Sequence, residues 1–180
     1  HAPRHELRNM LSPDAALLLP GVADALAARI VVDQGFPAAY VTGAGIANTF
    51  LGVPDIGLVT VTELAQHVAA IRAAFPGPLV VDADTGFGNP LNMVRTVELL
   101  ERAGADALQI EDQVFPKRCG HFAGKEVIPA AEMVVKVKAA VDTRRDRDLL
   151  IIARTDAIAP EGFEAAIERA AAYHDAGADV

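Results

Sequence analysis

Short aliphatic runs alternate with longer helical patterns along most of this chain. The runs span residues 17–21, 38–43, 79–84, 107–112 and 149–156, and a last one begins near Ala178. Between them, hydrophobic residues recur at intervals of three and four, which predicts helices that bury one face. Regular alternation of the two patterns is typical of βα units around a parallel sheet. The chain is therefore predicted to be an α/β protein.

Helical stripes and their end signals agree with this alternation. The predicted buried faces are Leu64, Val68, Ile71 and Phe75; Met93, Val97 and Leu100; and Phe163, Ile167 and Ala170. Thr60 and Glu63 are spaced as a capping box, and Asn89 precedes a proline at a first helical position. The tetrapeptide Ala-Gly-Ala-Asp occurs at 103–106 and again at 176–179. Its repetition predicts the same turn from helix to strand, with no functional content.

Composition narrows the class of protein. The chain has 180 residues, of which 52% are hydrophobic, so it can bury a substantial core, and we expect one domain over residues 1–180. A net charge of -8 disfavours a nucleic-acid partner and favours small-molecule chemistry. A single cysteine excludes an internal disulfide. We find neither an 18-residue apolar span nor a signal-peptide pattern, so no membrane association and a cytoplasmic location are expected.

Polar side chains cluster where the predicted strands end. They are Asp82 and Asp84, Glu111 and Asp112, and Arg154 and Asp156, with Asp55 and Cys119 in the two longest loops after strands. In a parallel barrel the active site is built at the carboxyl ends of the strands and in the loops that follow them. These residues are therefore candidates for function by position.

Asp82 and Asp84 are two residues apart on a predicted strand, so their carboxylates should share one face. Two carboxylates about 4 Å apart repel by roughly 4 kcal/mol at an effective dielectric near 20, which favours a bound cation. Oxygen ligands without histidine favour Mg²⁺, or Mn²⁺, over Zn²⁺. The structural alternative is that the acids cap helices and accept hydrogen bonds from backbone amides.

The segment Lys117-Arg118-Cys119-Gly120-His121 places the cysteine among cationic and potentially cationic side chains. Such a setting stabilises a thiolate and allows proton exchange near neutral pH. The segment therefore predicts a reactive thiol.

Five segments resemble the isocitrate lyase and phosphoenolpyruvate mutase superfamily. They are PGVADALAA at 20–28, VTGAGIANTFLGVPDIG at 41–57, VDADTGFGN at 81–89, IEDQVFPKRCGH at 110–121 and IIARTDA at 151–157. The KRCGH block is more similar to the lyase branch than to the phosphonate branch. Within the lyase branch, the chain resembles most the short bacterial lyases that act on 2-methylisocitrate or substituted malates. The resemblance implies a (β/α)8 TIM-type barrel, a magnesium site, a small carboxylate substrate and a homotetramer.

The resemblance also implies site residues. Asp82 would bind Mg²⁺ directly, and Asp55, Asp84 and Glu111 would hold its waters. The residues matching the substrate-binding strand end are Tyr40, Thr42, Gly43 and Ala44. Arg154 would hold a substrate carboxylate, Cys119 would be the catalytic acid or base with His121 beside it, and the loop 113–127 would close over the substrate. The base for the substrate hydroxyl stays open between Tyr40 and a metal-bound water.

These roles imply cleavage of a 2-hydroxy di- or tricarboxylate into a 2-oxo acid and a carboxylate. Alternatives on the same scaffold are an oxaloacetate decarboxylase or hydrolase and a carboxyphosphonoenolpyruvate-type mutase. A non-catalytic metal-binding barrel would be consistent with the fold alone. A Schiff-base aldolase needs a buried lysine. The sequence instead suggests loop or helix-surface positions for Lys117, Lys125, Lys136 and Lys138.

The length of the chain is short for the implied fold. A (β/α)8 barrel typically has about 250 residues, whereas this sequence holds about five and a half βα units. Taken alone it would leave an open sheet edge. We therefore expect it to be part of a longer protein.

Overall fold

The structure is a computed structural model and describes residues 2–11, 15–119 and 124–180. Five parallel strands form one sheet, and their spatial order is their chain order. The strands are β1 (Gly21–Val22), β2 (Ala39–Val41), β3 (Leu79–Asp82), β4 (Ala107–Glu111) and β5 (Leu150–Arg154). Parallel strands that each pair with the next are what an arc of a (β/α) barrel contains. The predicted α/β fold is confirmed.

Helices precede, connect and follow the strands. They are α1 (Ala2–Met10), α2 (Ala25–Asp33), α3 (Gly43–Ile46) followed by a π-helical turn (Ala47–Leu51), α4 (Val61–Ala74), α5 (Pro90–Ala103), α6 (Ala130–Thr143), α7 (Ile158–Glu161) and α8 (Phe163–Asp175). The capping box of Thr60 and Glu63 and the cap by Asn89 form as predicted. None of the described helices has the length and apolar content that a bilayer crossing requires.

The main core lies between the sheet and the helices, and two of the three predicted stripes face it. Leu64, Val68 and Ile71 of α4 are buried, as are Met93, Val97 and Leu100 of α5. The third stripe is wrong: Phe163 is 62% and Ile167 53% exposed, and α8 instead buries Ala166, Arg169 and Tyr173. That face turns inward because Arg169 and Tyr173 bind the buried carboxylate of Asp112. Hydrophobic periodicity does not predict such a tertiary contact.

The first strand lies later in the chain than predicted. The run 17–21 was expected to form it, but the ladder pairs Gly21 with Tyr40 and Val22 with Val41. Leu17 and Leu19 precede the strand and pack against a second, smaller cluster, whose buried members are Leu7, Val80, Ala107 and Leu150. The hydrophobic character of Leu17 and Leu19 therefore reflects their packing against α1 and against the face of the sheet that is opposite the main core.

The repeated Ala-Gly-Ala-Asp tetrapeptide has one structural role at both positions, as predicted. The carboxylate of Asp106 accepts a hydrogen bond from the backbone N–H of Leu79 at 2.9 Å, and that of Asp179 accepts one from Ile151 at 3.0 Å. Each aspartate thus ties the turn to the neighbouring strand. After Asp179 the chain runs beside β5, where the Ala153 N–H donates to the Val180 carbonyl at 2.9 Å. This is where the sixth run was predicted.

Candidate active site

A buried ammonium group lies between two of the predicted carboxylates. Lys117 Nζ is 2.5 Å from Asp55 Oδ1 and 2.7 Å from Asp84 Oδ1, and the lysine side chain is only 4% exposed. The loop after β2 supplies Asp55, and the turn after β3 supplies Asp84. The cation that the sequence argument favoured next to these acids is thus provided in part by the chain itself.

Asp82 is held by backbone amides at the end of β3. Its Oδ2 accepts from the Gly43 N–H at 3.3 Å, and its Oδ1 accepts from the Asp84 N–H at 3.1 Å. A Cβ at residue 43 would lie 3.2 Å from Asp82 Oδ2, so glycine permits this close approach. Asp84 lies just beyond the strand in a left-handed conformation with φ 48°. The backbone-amide role of these acids that we considered as an alternative therefore exists at Asp82.

Glu111 and Arg154 form a partner pair across neighbouring strands. They are aligned in the register of β4 and β5, and Arg154 Nη1 lies 3.3 Å from Glu111 Oε2. Arg154 Nη2 also donates to Asp156 Oδ1 at 3.0 Å. The other glutamate oxygen, Oε1, is buried and has no hydrogen-bond partner among the residues that the structure describes. It is an acceptor with unused capacity.

Burial dominates the electrostatics of the cluster. It raises the pKa of Asp84 to about 6, with a further contribution from Asp82, and it raises the pKa of Glu111 to about 8 against the opposing effect of Arg154. Burial also raises the pKa of Asp82. For Lys117, burial alone would lower the pKa, but the carboxylates around it outweigh that effect and the pKa is raised. Negative charge here is costly, and added positive charge would relieve the cost.

Whether a metal ion fits this site depends on the carboxylate oxygens described above. Within residues 2–11, 15–119 and 124–180, no three His, Cys, Asp or Glu side chains form a ready-made metal-binding group. The buried Glu111 Oε1 lacks a partner, however, and carboxylate oxygens are the ligands that Mg²⁺ prefers. The donor chemistry therefore fits a hard divalent cation, and the assignment of Asp55, Asp82, Asp84 and Glu111 as its ligands stays a prediction.

The predicted substrate residues lie at the end of β2, beside these acids. Thr42 caps α3 by accepting from the Gly45 N–H at 3.1 Å. The hydroxyl of Tyr40 accepts from Gln109 Nε2 at 2.9 Å. Burial, with the negative charge of Asp82, raises the pKa of Tyr40, so its phenol stays protonated at neutral pH. Gln109, on β4, is a contact that the sequence did not suggest.

Cys119 is half-buried and faces the same region. With Ala44 and Asp55 it lines a cavity of about 460 Å³, so the thiol, a predicted substrate residue and a predicted metal residue share one space. His121 lies outside the described residues, as do its neighbours 120–123. Backbone hydrogen bonds join the two ends of the predicted closing loop. The Val114 N–H donates to the Glu126 carbonyl and the Ile128 N–H to the Asp112 carbonyl, both at 2.9 Å.

The predicted surface positions of two lysines are wrong. Lys117 is buried by the carboxylates described above, and Lys136 is 3% exposed within the inward face of α6. The spacing of Met133, Lys136, Val137 and Ala140 is a helical stripe, and it could have placed Lys136 inside. Nothing in the local sequence around Lys117 gives its burial, because its partners come from distant loops. Its raised pKa keeps the amine protonated, which disfavours imine formation.

A further carboxylate, Asp112, holds several parts of the site together; the sequence analysis identified it as a candidate by position but gave it no chemical role. It is fully buried, and its oxygens accept from the Asp156 N–H at 2.9 Å and from the hydroxyls of Thr155 and Tyr173 at 2.7 Å each. Arg169 Nη1 lies 3.3 Å away. Asp112 thereby joins the ends of β4 and β5 to α8 and fixes the segment after β5, in which Asp156 aligns Arg154.

Comparison with known families decides the relationship. The family model described as phosphoenolpyruvate phosphomutase matches residues 7–180. The chain belongs to this family. The resemblance to the isocitrate lyase and phosphoenolpyruvate mutase superfamily is thereby confirmed. Among curated members of the family, a 2,3-dimethylmalate lyase of Eubacterium barkeri is 47% identical over 97% of this chain and 61% of its own length. A 2-methylisocitrate lyase of Aeropyrum pernix is 49% identical over 97% of this chain and 56% of its own length.

Solved structures of family members superpose closely. An oxaloacetate acetylhydrolase in complex with the inhibitor 3,3-difluorooxalacetate has a TM-score of 0.91 and 41% identity, covering 98% of this chain and 60% of that one. A phosphonopyruvate hydrolase in complex with oxalate and Mg²⁺ has a TM-score of 0.89 and 32% identity, covering 98% and 61%. The chain therefore spans about three fifths of the length of these relatives.

Proposed function

We propose that the protein containing this chain is a Mg²⁺-dependent carbon–carbon lyase. Its substrate would be a 2-hydroxy di- or tricarboxylate of the 2-methylisocitrate or alkylmalate type, and its products a 2-oxo acid and a carboxylate. The observation that carries the proposal is the meeting of the predicted acids and Arg154 at adjacent strand ends, with Cys119 in a cavity shared with Asp55. The close lyase relatives support this choice among the family's reactions.

The metal of the proposal would be held by Asp82, Asp84, Asp55 and Glu111. The unpaired buried Glu111 Oε1 supports it, as does the Mg²⁺ in the related phosphonopyruvate hydrolase complex. A divalent cation bound there would lower the pKa of a substrate hydroxyl and offset the negative charge of the cluster. The ammonium of Lys117 would limit the repulsion among the same acids.

The remaining roles belong to side chains of this chain. Arg154, already aligned by Asp156, would bind a substrate carboxylate through its guanidinium. After the hydroxyl loses its proton, the carbon–carbon bond breaks, a carbonyl forms, and the electron pair stays on the carbon next to the leaving carboxylate. Cys119 would donate the proton to that carbon. The end of β2 and the residues after it would line the bound substrate through Thr42, Gly43 and Ala44.

The proposal is tested with the complete protein and Mg²⁺. We expect it to release a 2-oxo acid from 2-methylisocitrate or 2,3-dimethylmalate, followed with a coupled dehydrogenase, and EDTA to abolish the release. Isocitrate and oxaloacetate are assayed in parallel. Turnover of oxaloacetate alone would replace the proposal by the hydrolase or decarboxylase alternative, which the similarity to oxaloacetate acetylhydrolase supports. No turnover of any of the four would contradict a lyase.

Tyr40 could act on the substrate hydroxyl in two ways, as a hydrogen-bond donor or as the general base. Because its pKa is raised, we propose that it donates a hydrogen bond to the substrate and does not act as the base. Tyr40→Phe should then lower kcat/KM by about tenfold, since one hydrogen bond contributes roughly 1–1.5 kcal/mol. The check is kcat/KM as a function of pH. A loss of about 10²-fold or more, with the acidic limb of the profile removed, would instead identify Tyr40 as the base.

A homotetramer and a cytoplasmic location, both expected from the sequence, complete the proposal. Sedimentation of the complete protein measures the assembly, and a monomer would contradict it.

A further inference from the structure

A second cavity lies outside the carboxylate cluster. It has a volume of about 490 Å³ and opens between the start of α4, the loop after β3 and the start of α6. Its apolar walls are Leu58, Val59, Val61, Phe87, Phe115 and Ile128. None of the predicted metal residues lines it. Its size falls within the usual range of small-molecule sites, which is about 300–1,000 Å³.

Lys136 is the basic side chain of this cavity. Although only 3% of the residue is exposed, no hydrogen bond or ion pair joins its ammonium to any part of the chain that the structure describes. Burial lowers the pKa of Lys136, and Glu132, one turn earlier on α6, opposes the shift only in part. A largely desolvated amine without a polar partner is unfavourable when charged, and an anion beside it would relieve that cost.

The two side-chain amides that line the cavity, Gln113 and Asn89, already have partners. Gln113 Nε2 donates to the Arg118 carbonyl at 3.0 Å and to Asp156 Oδ2 at 2.8 Å. Asn89 Oδ1 accepts from two backbone N–H groups at the start of α5. Lys136 is thus the cationic group at this cavity with hydrogen-bonding capacity to offer a ligand, and the hydroxyl of Thr85 lies in the same lining.

We propose that the cavity binds a small monocarboxylate with an apolar tail, its carboxylate paired with Lys136 Nζ and its tail against Phe87, Phe115 and Ile128. One amine balances one negative charge. A dianion would leave its second charge among apolar walls or beside Glu132, which also lines the cavity. This site goes beyond the proposed lyase reaction and does not depend on it.

The test uses the complete protein with Mg²⁺ and hexanoate as the probe. Isothermal titration calorimetry compares the wild type with Lys136→Met, which keeps the apolar stem, and with Lys138→Met. Lys138 is an exposed lysine on the same helix and serves as the matched control. We expect hexanoate to bind the wild type and Lys138→Met equally, and to bind Lys136→Met at least about tenfold more weakly. Equal affinity for all three proteins would overturn the proposal, because the probe would then bind elsewhere.

A second measurement needs no variant. Lysines of the wild type are acetylated with acetic anhydride and quantified by peptide mass spectrometry, with and without hexanoate. Hexanoate should protect Lys136 several-fold and leave Lys138 unchanged, whereas hexanol, which lacks the charge, should protect neither. Unchanged labelling of Lys136 at millimolar hexanoate, or equal protection by hexanol, would overturn the proposal.

Discussion

Replacing Cys119 by serine is expected to lower kcat for cleavage by about 10²–10⁴-fold, the usual contribution of a positioned general acid. A serine hydroxyl is nearly isosteric with the thiol but is a far weaker acid. The half-buried thiol shares its cavity with Asp55 and Ala44, so a proton donated from it would reach the space beside the metal and substrate residues. The measurement is kcat of the complete Cys119→Ser protein on the substrate that the coupled assay identifies.

Two controls distinguish a chemical role from a disturbed loop. Mg²⁺ binding to Cys119→Ser, followed by calorimetry, should match the wild type, because the thiol is not among the predicted ligands. Val114→Ser introduces the same side chain at an exposed position earlier in the same loop and should leave kcat unchanged. Cleavage by Cys119→Ser at a near wild-type rate would remove the thiol from the mechanism.

Replacing Asp112 by alanine is expected to lower the free energy of unfolding by about 3 kcal/mol. The carboxylate accepts hydrogen bonds from Asp156, Thr155 and Tyr173 and pairs with the buried guanidinium of Arg169. Its removal leaves buried donors without an acceptor. The loss is limited because Arg169 keeps its ion pair with Glu161 at 2.7 Å. Urea unfolding of the complete protein measures the change.

The matched control for this variant is Asp175→Ala, which removes an exposed carboxylate at the end of α8. It should change the unfolding free energy by less than about 0.5 kcal/mol. Asp112→Ala should also weaken substrate binding, because the segment after β5 that aligns Arg154 is anchored to Asp112. A variant as stable as the control would show that the network around Asp112 contributes little.

Local patterns were sufficient for much of the fold. The alternation of strand and helix, the capping box at Thr60, the N-cap at Asn89, and the inward faces of α4 and α5 all depend on residues within a few positions of one another. Such features follow from backbone geometry and side-chain periodicity. The first strand was misplaced because Leu17 and Leu19 are hydrophobic for a different reason, namely their packing against residues of α1 and three strands.

For the site, the sequence determined which chemical groups are available and that they follow the strands of a parallel sheet. Only the tertiary structure decided that Lys117 is buried between Asp55 and Asp84, that Asp112 joins β5 to α8, and that Lys136 reaches an apolar cavity. These contacts join residues far apart in the chain. A charged side chain is buried where distant partners or walls surround it, and that environment exists only once the βα units have packed against one another.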